Sequence, residues 1–224
     1  MFRSILHKSI FACVILLLAY IPAISHQQKM TDTVSRKKAT GTKSKQEFAR
    51  YMTAYISDNR ELFEKIKVRS AASFKMMDAM FKKYGLPSDL KYLAVVESEM
   101  KTSAVSRVGA VGPWQLMAGT AQELGLKVSS KNDERKQFYK STRAAALYLR
   151  DLHNEFGDWL LVLAAYNSGP GPVHKAIRRA GSRDFWQLQA YLPAETRAHV
   201  KRIIATRYYF EGQDAASTEF MCAL

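Results

Sequence analysis

From residue 46 onward, apolar positions recur at three- and four-residue steps separated by polar ones. No stretch sustains the alternation of period two that a half-buried strand requires, so the pattern predicts an all-α fold. Candidate helices cover 46–66, 69–84, 88–100, 113–125, 137–156, 158–167, 171–180 and 193–211. The clearest is 137–156, where Phe138, Thr142, Ala145, Leu149, Leu152 and Phe156 fall on one face. Gly157 follows and stops it. The next segment, DWLLVLAAYN, is apolar all round, and a helix without a polar face belongs at the centre of a fold. It ends in Ser168-Gly169-Pro170-Gly171-Pro172, a run that cannot continue a helix.

The 88–100 segment breaks its own pattern. Ser88 or Asp89 is placed to cap it after Pro87. Leu90, Leu93, Ala94 and Glu97 then stand at i, i+3, i+4 and i+7 and share one face. Glu97 is thus expected at a core-facing position near a helix C-terminus, with Glu99 turned away. Apolar surroundings resist ionisation of a carboxyl group, and the negative end of the helix dipole acts in the same direction. An acid still protonated near neutral pH can donate a proton to a leaving group, as in glycoside cleavage. The same position also suits an acid paired with an arginine, or one reaching solvent at a helix end. Position alone leaves these readings open.

Charge and the N-terminus narrow the setting. The 224-residue chain carries 34 Lys and Arg against 20 Asp and Glu, a balance of +14 that favours an anionic partner. Nucleic acid, a membrane surface and a bacterial cell wall all qualify. MFRSILHK is a short basic start, and SIFACVILLLAYIPAIS is an apolar run with Pro22 near its end. Ala23 and Ser25 have the spacing of an A-x-A-like cleavage site, so residues 1–25 read as a secretory signal peptide. Cleavage would remove Arg3 and Lys8 and no acid, lowering the balance by two to +12. Left uncut, residues 9–25 would anchor the chain in a membrane. Cys13 leaves with the signal, and Cys222 then stands alone, so no intrachain disulfide forms in the mature chain. Export also disfavours nucleic acid as a partner. Residues 26–45 are polar and basic and are expected to form a flexible linker. A single domain over 46–212 and a tail over 213–224 complete the expected organisation.

The residues after Glu97 carry a resemblance. Glu97-Ser98 is followed by Ser106-Arg107-Val108-Gly109-Ala110-Val111-Gly112 and by Trp114-Gln115-Leu116-Met117-Ala118-Gly119-Thr120-Ala121. Asp133-Glu134-Arg135, Lys140-Ser141-Thr142-Arg143-Ala144-Ala145 and Ala164-Ala165-Tyr166-Asn167-Ser168-Gly169-Pro170-Gly171 come next, in order. These blocks resemble the bacterial lytic transglycosylases with a goose-type lysozyme-like (SLT) domain. Asp184-Phe185-Trp186 and Leu192-Pro193-Ala194-Glu195-Thr196-Arg197 look like the closing blocks of the membrane-bound D type. The resemblance covers about residues 85–210. Pro113 stands where the family usually has Leu, and Ala118 where it often has Pro. Pro113 is compatible with the first turn of the 113–125 helix. The D type often carries C-terminal sugar-binding (LysM) repeats that this sequence lacks, so wall affinity is expected from the groove and the positive charge.

The resemblance implies an all-α, lysozyme-like domain that cleaves the MurNAc-GlcNAc bond of peptidoglycan and leaves 1,6-anhydro-muramyl ends. It implies Glu97 as the single acid/base, with Ser106, Gln115, Met117, Tyr166 and Asn167 around it binding the glycan. Tyr166 would place its hydroxyl near the scissile bond or the Glu97 carboxyl, and Asn167 would orient its loop. Met117 on a helix would equally serve the core, and Glu195 suits a helix start better than catalysis. His153, His174 and His199 are scattered without ligand spacing, so no metal site and no cofactor is expected. Peptidoglycan strands are the expected partner of a monomer in the periplasm or cell envelope. A hydrolytic muramidase of the same fold and a non-catalytic wall-binding scaffold remain alternatives.

Overall fold

The computed structural model describes residues 46–212. The expected signal peptide, linker and C-terminal tail lie outside the described residues. Chain contacts divide the molecule at Tyr51 into units Met1–Tyr51 and Met52–Leu224. The described part of the first unit, 46–51, is helical.

Helix α1 runs over 46–69, and α2 (Ala71–Tyr84) follows after the single turn residue Ser70. Lysines close α2, and Gly85 ends it in the left-handed region. A 3₁₀ turn, Ser88–Leu90, leads into α3 (Lys91–Ser98). A long irregular stretch precedes α4 (Ala118–Glu123). Then come α5 (Phe138–Phe156), α6 (Trp159–Ser168) and α7 (Pro170–Ala180). A short α8 (Phe185–Leu188) and α9 (Ala194–Glu211) complete the order. Among the described residues there is no strand; three isolated bridges join Val105 to Val111, Val111 to Leu116 and Val128 to Asp133.

The all-apolar segment is central, as its pattern requires. Every residue of α6 from Trp159 to Ala165 is buried, and α5, α7 and α9 pack around it. Asp158 starts the helix by accepting the Leu161 N–H at 2.9 Å. The stripe of α5 behaves similarly: Thr142, Ala145, Leu149, Leu152 and Phe156 are buried, and Gly157 closes the helix at φ 67°.

Two expected helices are shorter than their patterns. The 113–125 segment is helical only over Ala118–Glu123. Val111 and Leu116 exchange both backbone hydrogen bonds, at 3.1 and 3.2 Å, and Gln115 sits at φ 46°. A left-handed residue inside a closed two-way bridge cannot belong to a right-handed helix. Pro113 therefore does not open a helix; its carbonyl accepts the Ser98 hydroxyl at 2.9 Å. The 88–100 segment likewise ends at Ser98, because Glu99 and Met100 take φ values of 54° and 62°. Neither Ser88 nor Asp89 caps that helix. Asp89 instead accepts from Arg207 Nε of α9 at 2.7 Å, with both side chains buried. Helix α8 was too short to show a period, although Asp184 caps it through the Trp186 N–H.

The Asp89–Arg207 pair joins the start of α3 to the end of α9. Removing one partner leaves a charge buried opposite an apolar group, which costs about 3–5 kcal/mol. Asp89→Ala should lower the melting temperature by roughly 10 °C. Combining it with Arg207→Met should restore part of that loss. Calorimetry of the three variants checks this; a single variant melting with the wild type would show the pair to be dispensable.

Candidate functional site

The site begins where α3 stops. Leu90, Leu93 and Ala94 are fully buried, but the Glu97 side chain on the same face keeps 15% exposure. The helix ends one residue later, so its last apolar-face position emerges at an edge rather than in the core. Glu99 turns away and pairs with Lys101 at 2.7 Å. Nε2 of His199 lies 2.8 Å from Glu97 Oε1.

Tyr166 comes from the last turn of α6. Its ring lies against Tyr148, centroids 5.4 Å apart, and its hydroxyl donates to the Trp114 carbonyl at 2.7 Å. Burial pushes the phenol pKa well up, and the Glu97 and Tyr148 groups push it further. Tyr166 therefore stays protonated and remains a donor. The hydroxyl, expected near the scissile bond or the Glu97 carboxyl, is engaged by the Trp114 backbone carbonyl. Trp114 itself belongs to the core: its Nε1–H donates to Thr142 at 3.0 Å, and its ring meets Phe81 edge-on at 5.8 Å.

Gln115, Met117, Tyr166 and Asn167 line one cleft of about 280 Å³, together with Leu116, Thr120, Tyr148, Ser168 and Gly169. No carboxylate is among these lining residues. Met117 is 47% exposed, so it forms a wall of the cleft rather than part of the core. The Gln115 amide nitrogen donates to the Gly112 carbonyl at 2.8 Å and to the Ala104 carbonyl at 3.4 Å, which leaves its oxygen as the uncommitted group. Asn167 is reversed: its Oδ1 accepts from Thr196 of α9 at 2.8 Å, which leaves its N–H₂. Ser106 does not line this cleft. Its hydroxyl accepts the Ala110 N–H at 2.9 Å and shapes the preceding turn.

The cleft wall is fastened from a distance. The buried Arg135 donates to the Gly109 and Leu116 carbonyls, each at 3.0 Å, and to Asp133 at 2.9 and 2.7 Å. Gly112, at φ 83°, passes so close that an added Cβ would lie 2.1 Å from the Arg135 carbonyl oxygen. Asp133 and Arg135 carried a family likeness in the sequence but no role; their role is this knot.

The sequence reading set His199 aside. Its signal was the stripe Thr196, His199, Val200, Ile203, Ile204 and Arg207, all buried on α9. His153 instead stacks on Trp159 at 4.0 Å, and His174 meets Glu155 in solvent. Glu195 sits in the first turn of α9 and pairs with Arg202. Among the described residues, no group of three or more His, Cys, Asp or Glu is placed to hold a metal ion.

The transglycosylase SLT domain pattern matches residues 75–189. The chain belongs to this family. It is 37% identical over 152 residues to the membrane-bound lytic murein transglycosylase D of Escherichia coli K12, covering 66% of this chain and 33% of that protein. The chain thus spans about a third of the length of that curated relative. An inactive mutant of the lytic transglycosylase Slt from Pseudomonas aeruginosa superposes with a TM-score of 0.56 at 26% identity, over 65% of this chain and 25% of that one. The 70 kDa soluble lytic transglycosylase of Escherichia coli gives 0.54 at 25% identity, over 72% and 30%. The all-α architecture is therefore the lysozyme-like helical fold of the SLT family.

In this SLT domain the knot makes two outcomes measurable. Gly112→Ala combines left-handed strain with a backbone clash and should cost on the order of 3 kcal/mol or more. Gly109→Ala, at φ 84° with open space around it, should cost only about 1–2 kcal/mol. Equal losses in denaturant unfolding would remove the clash from the account. Arg135 holds the Asp133 carboxyl below its usual range, chiefly through their hydrogen bond. A depressed carboxyl stabilises above its unfolded pKa, about 4, and loses that effect as pH falls through the native value. Asp133→Asn should therefore melt below the wild type at about pH 6 and converge with it near about pH 2. A constant gap across this range would exclude the linkage.

Proposed function

We propose that the chain is a lytic transglycosylase that cleaves the MurNAc-GlcNAc β-1,4 bond of peptidoglycan, with Glu97 as its acid/base. The observation that supports this is the edge-exposed Glu97 carboxyl at the end of α3, together with a cleft that has no carboxylate among its lining residues. Hydrolytic glycosidases generally use two carboxyl groups flanking the scissile bond. One suffices when the nucleophile belongs to the substrate. Glu97 gives its proton to the glycosidic oxygen as the bond to muramyl C1 breaks. The resulting carboxylate takes the proton of the muramyl C6 hydroxyl, whose oxygen bonds to C1. No water is consumed, and Glu97 ends protonated, ready for another cycle. A tethered hydroxyl has a very high effective concentration, which favours this route.

Asn167 offers N–H donors and Gln115 an acceptor oxygen, a combination that fits acetamido and hydroxyl groups of amino sugars. Met117 provides an apolar wall. Ser106 acts from the adjoining turn. The balance of +14 suits an anionic wall polymer, and the signal-like N-terminus together with a membrane-bound relative supports an envelope location. We place the protein there as a monomer, exported or anchored through residues 9–25.

Mass spectrometry of muropeptides released from purified peptidoglycan tests the proposal. Anhydro-muramyl ends should appear, and Glu97→Gln should reduce their release by at least about 10²-fold while wall binding in a pelleting assay persists. Reducing ends would identify a hydrolase. Wild-type release by Glu97→Gln would reject the assignment of Glu97.

A further inference from the structure

We propose that His199 is the positioning residue of Glu97, and that it divides the work between the two carboxyl oxygens. The proposal rests on the reading of Glu97 as the acid/base. His199 is 3% exposed and lies on the inner face of α9. Its Nε2 is 2.8 Å from Glu97 Oε1. Its other nitrogen, Nδ1, is buried with no hydrogen-bond partner among the described residues.

That orphan atom determines the proton arrangement. A proton on Nδ1 would be a buried donor without an acceptor, an unfavourable arrangement. A bare Nδ1 lone pair is the cheaper state, so the ring is neutral and carries its proton on Nε2. The Nε2–H then donates to Oε1. The carbonyl-type oxygen of a protonated carboxyl is a better acceptor than its hydroxyl oxygen, so an Nε2–H donated to Oε1 favours the transferable proton on Oε2. The proton that leaves for the glycosidic oxygen, and the one that returns from the C6 hydroxyl, therefore ride on Oε2. His199 exchanges no proton in either step; it holds one oxygen so that the other points at the substrate.

The surroundings fit such a support. One turn earlier on the same inner face, Thr196 holds Asn167 of the cleft at 2.8 Å. Further along, Arg207 holds Asp89 at the start of the helix that bears Glu97. His199 thus sits between two fixed points on a helix that cannot shift freely.

Three variants and one spectrum test the proposal on the full chain. His199→Phe fills the space without a donor; it should lower kcat on purified peptidoglycan on the order of 10²-fold with KM within about twofold. His199→Gln offers an amide N–H at a similar reach and should stay within about fivefold of wild type. Wild-type kcat in His199→Phe, or an equal loss in His199→Gln, would overturn the proposal. Glu97→Gln is measured beside them. If it stays active, the acid/base reading itself fails; if it is inactive while His199→Phe is unaffected, only the positioning role fails. Should His199→Phe not fold, nitrogen-15 NMR of the unmutated protein decides. A neutral ring protonated at Nε2 is expected, and a proton on Nδ1 would overturn the assignment.

Discussion

Helix α6 has no polar face from Trp159 to Ala165, and that single constraint organises the domain. Each large side chain buried there contributes about 1.5–3 kcal/mol, but only when α5, α7 and α9 enclose it on all sides. Enclosure fixes where the helix ends, and it ends in Tyr166, Asn167 and Ser168, the first residues of α6 to regain contact with solvent. The cleft stands at that exit. The hydrophobic cover runs out both at the end of α6 and at the end of α3, where Glu97 emerges.

The polar groups of the site are largely spent on holding one another. Gln115 uses its nitrogen on its own turn, Asn167 uses its oxygen on Thr196, and Tyr166 uses its proton on Trp114. What each has left is a single, directed capability. A pocket built in this way presents groups that are already oriented, so little ordering would remain to be done on binding a ligand. The Arg135 knot extends the same logic to the backbone, tying carbonyls of the cleft wall to a buried guanidinium.

Much of this was legible in the residues. The apolar stripe of α5 and the featureless apolar surface of α6 gave fold class and centre, because periodicity reports burial directly. The motif blocks singled out Gln115, Met117, Tyr166 and Asn167, which line one cleft. What stayed hidden depended on backbone or on distant partners. Gln115 in the left-handed region ended a helix that its neighbours' propensities would continue, and no local rule anticipates that in a glutamine. Ser106, expected at the glycan, lies in a turn where its hydroxyl accepts the Ala110 N–H. Asp89 looked like a cap, yet its partner lies 118 positions away. His199 was hidden similarly, although its place on the stripe of α9 was readable.

The connection between His199 and Glu97 spans 102 positions of the chain. Synthesis runs from the N-terminus, so α3 is complete long before α9 exists. Through that interval the acid has neither its histidine nor the helix that fixes Asn167 and Asp89. The pair is therefore completed late, by the last element among the described residues, and a half-emerged molecule holds Glu97 without the side chain that bonds it.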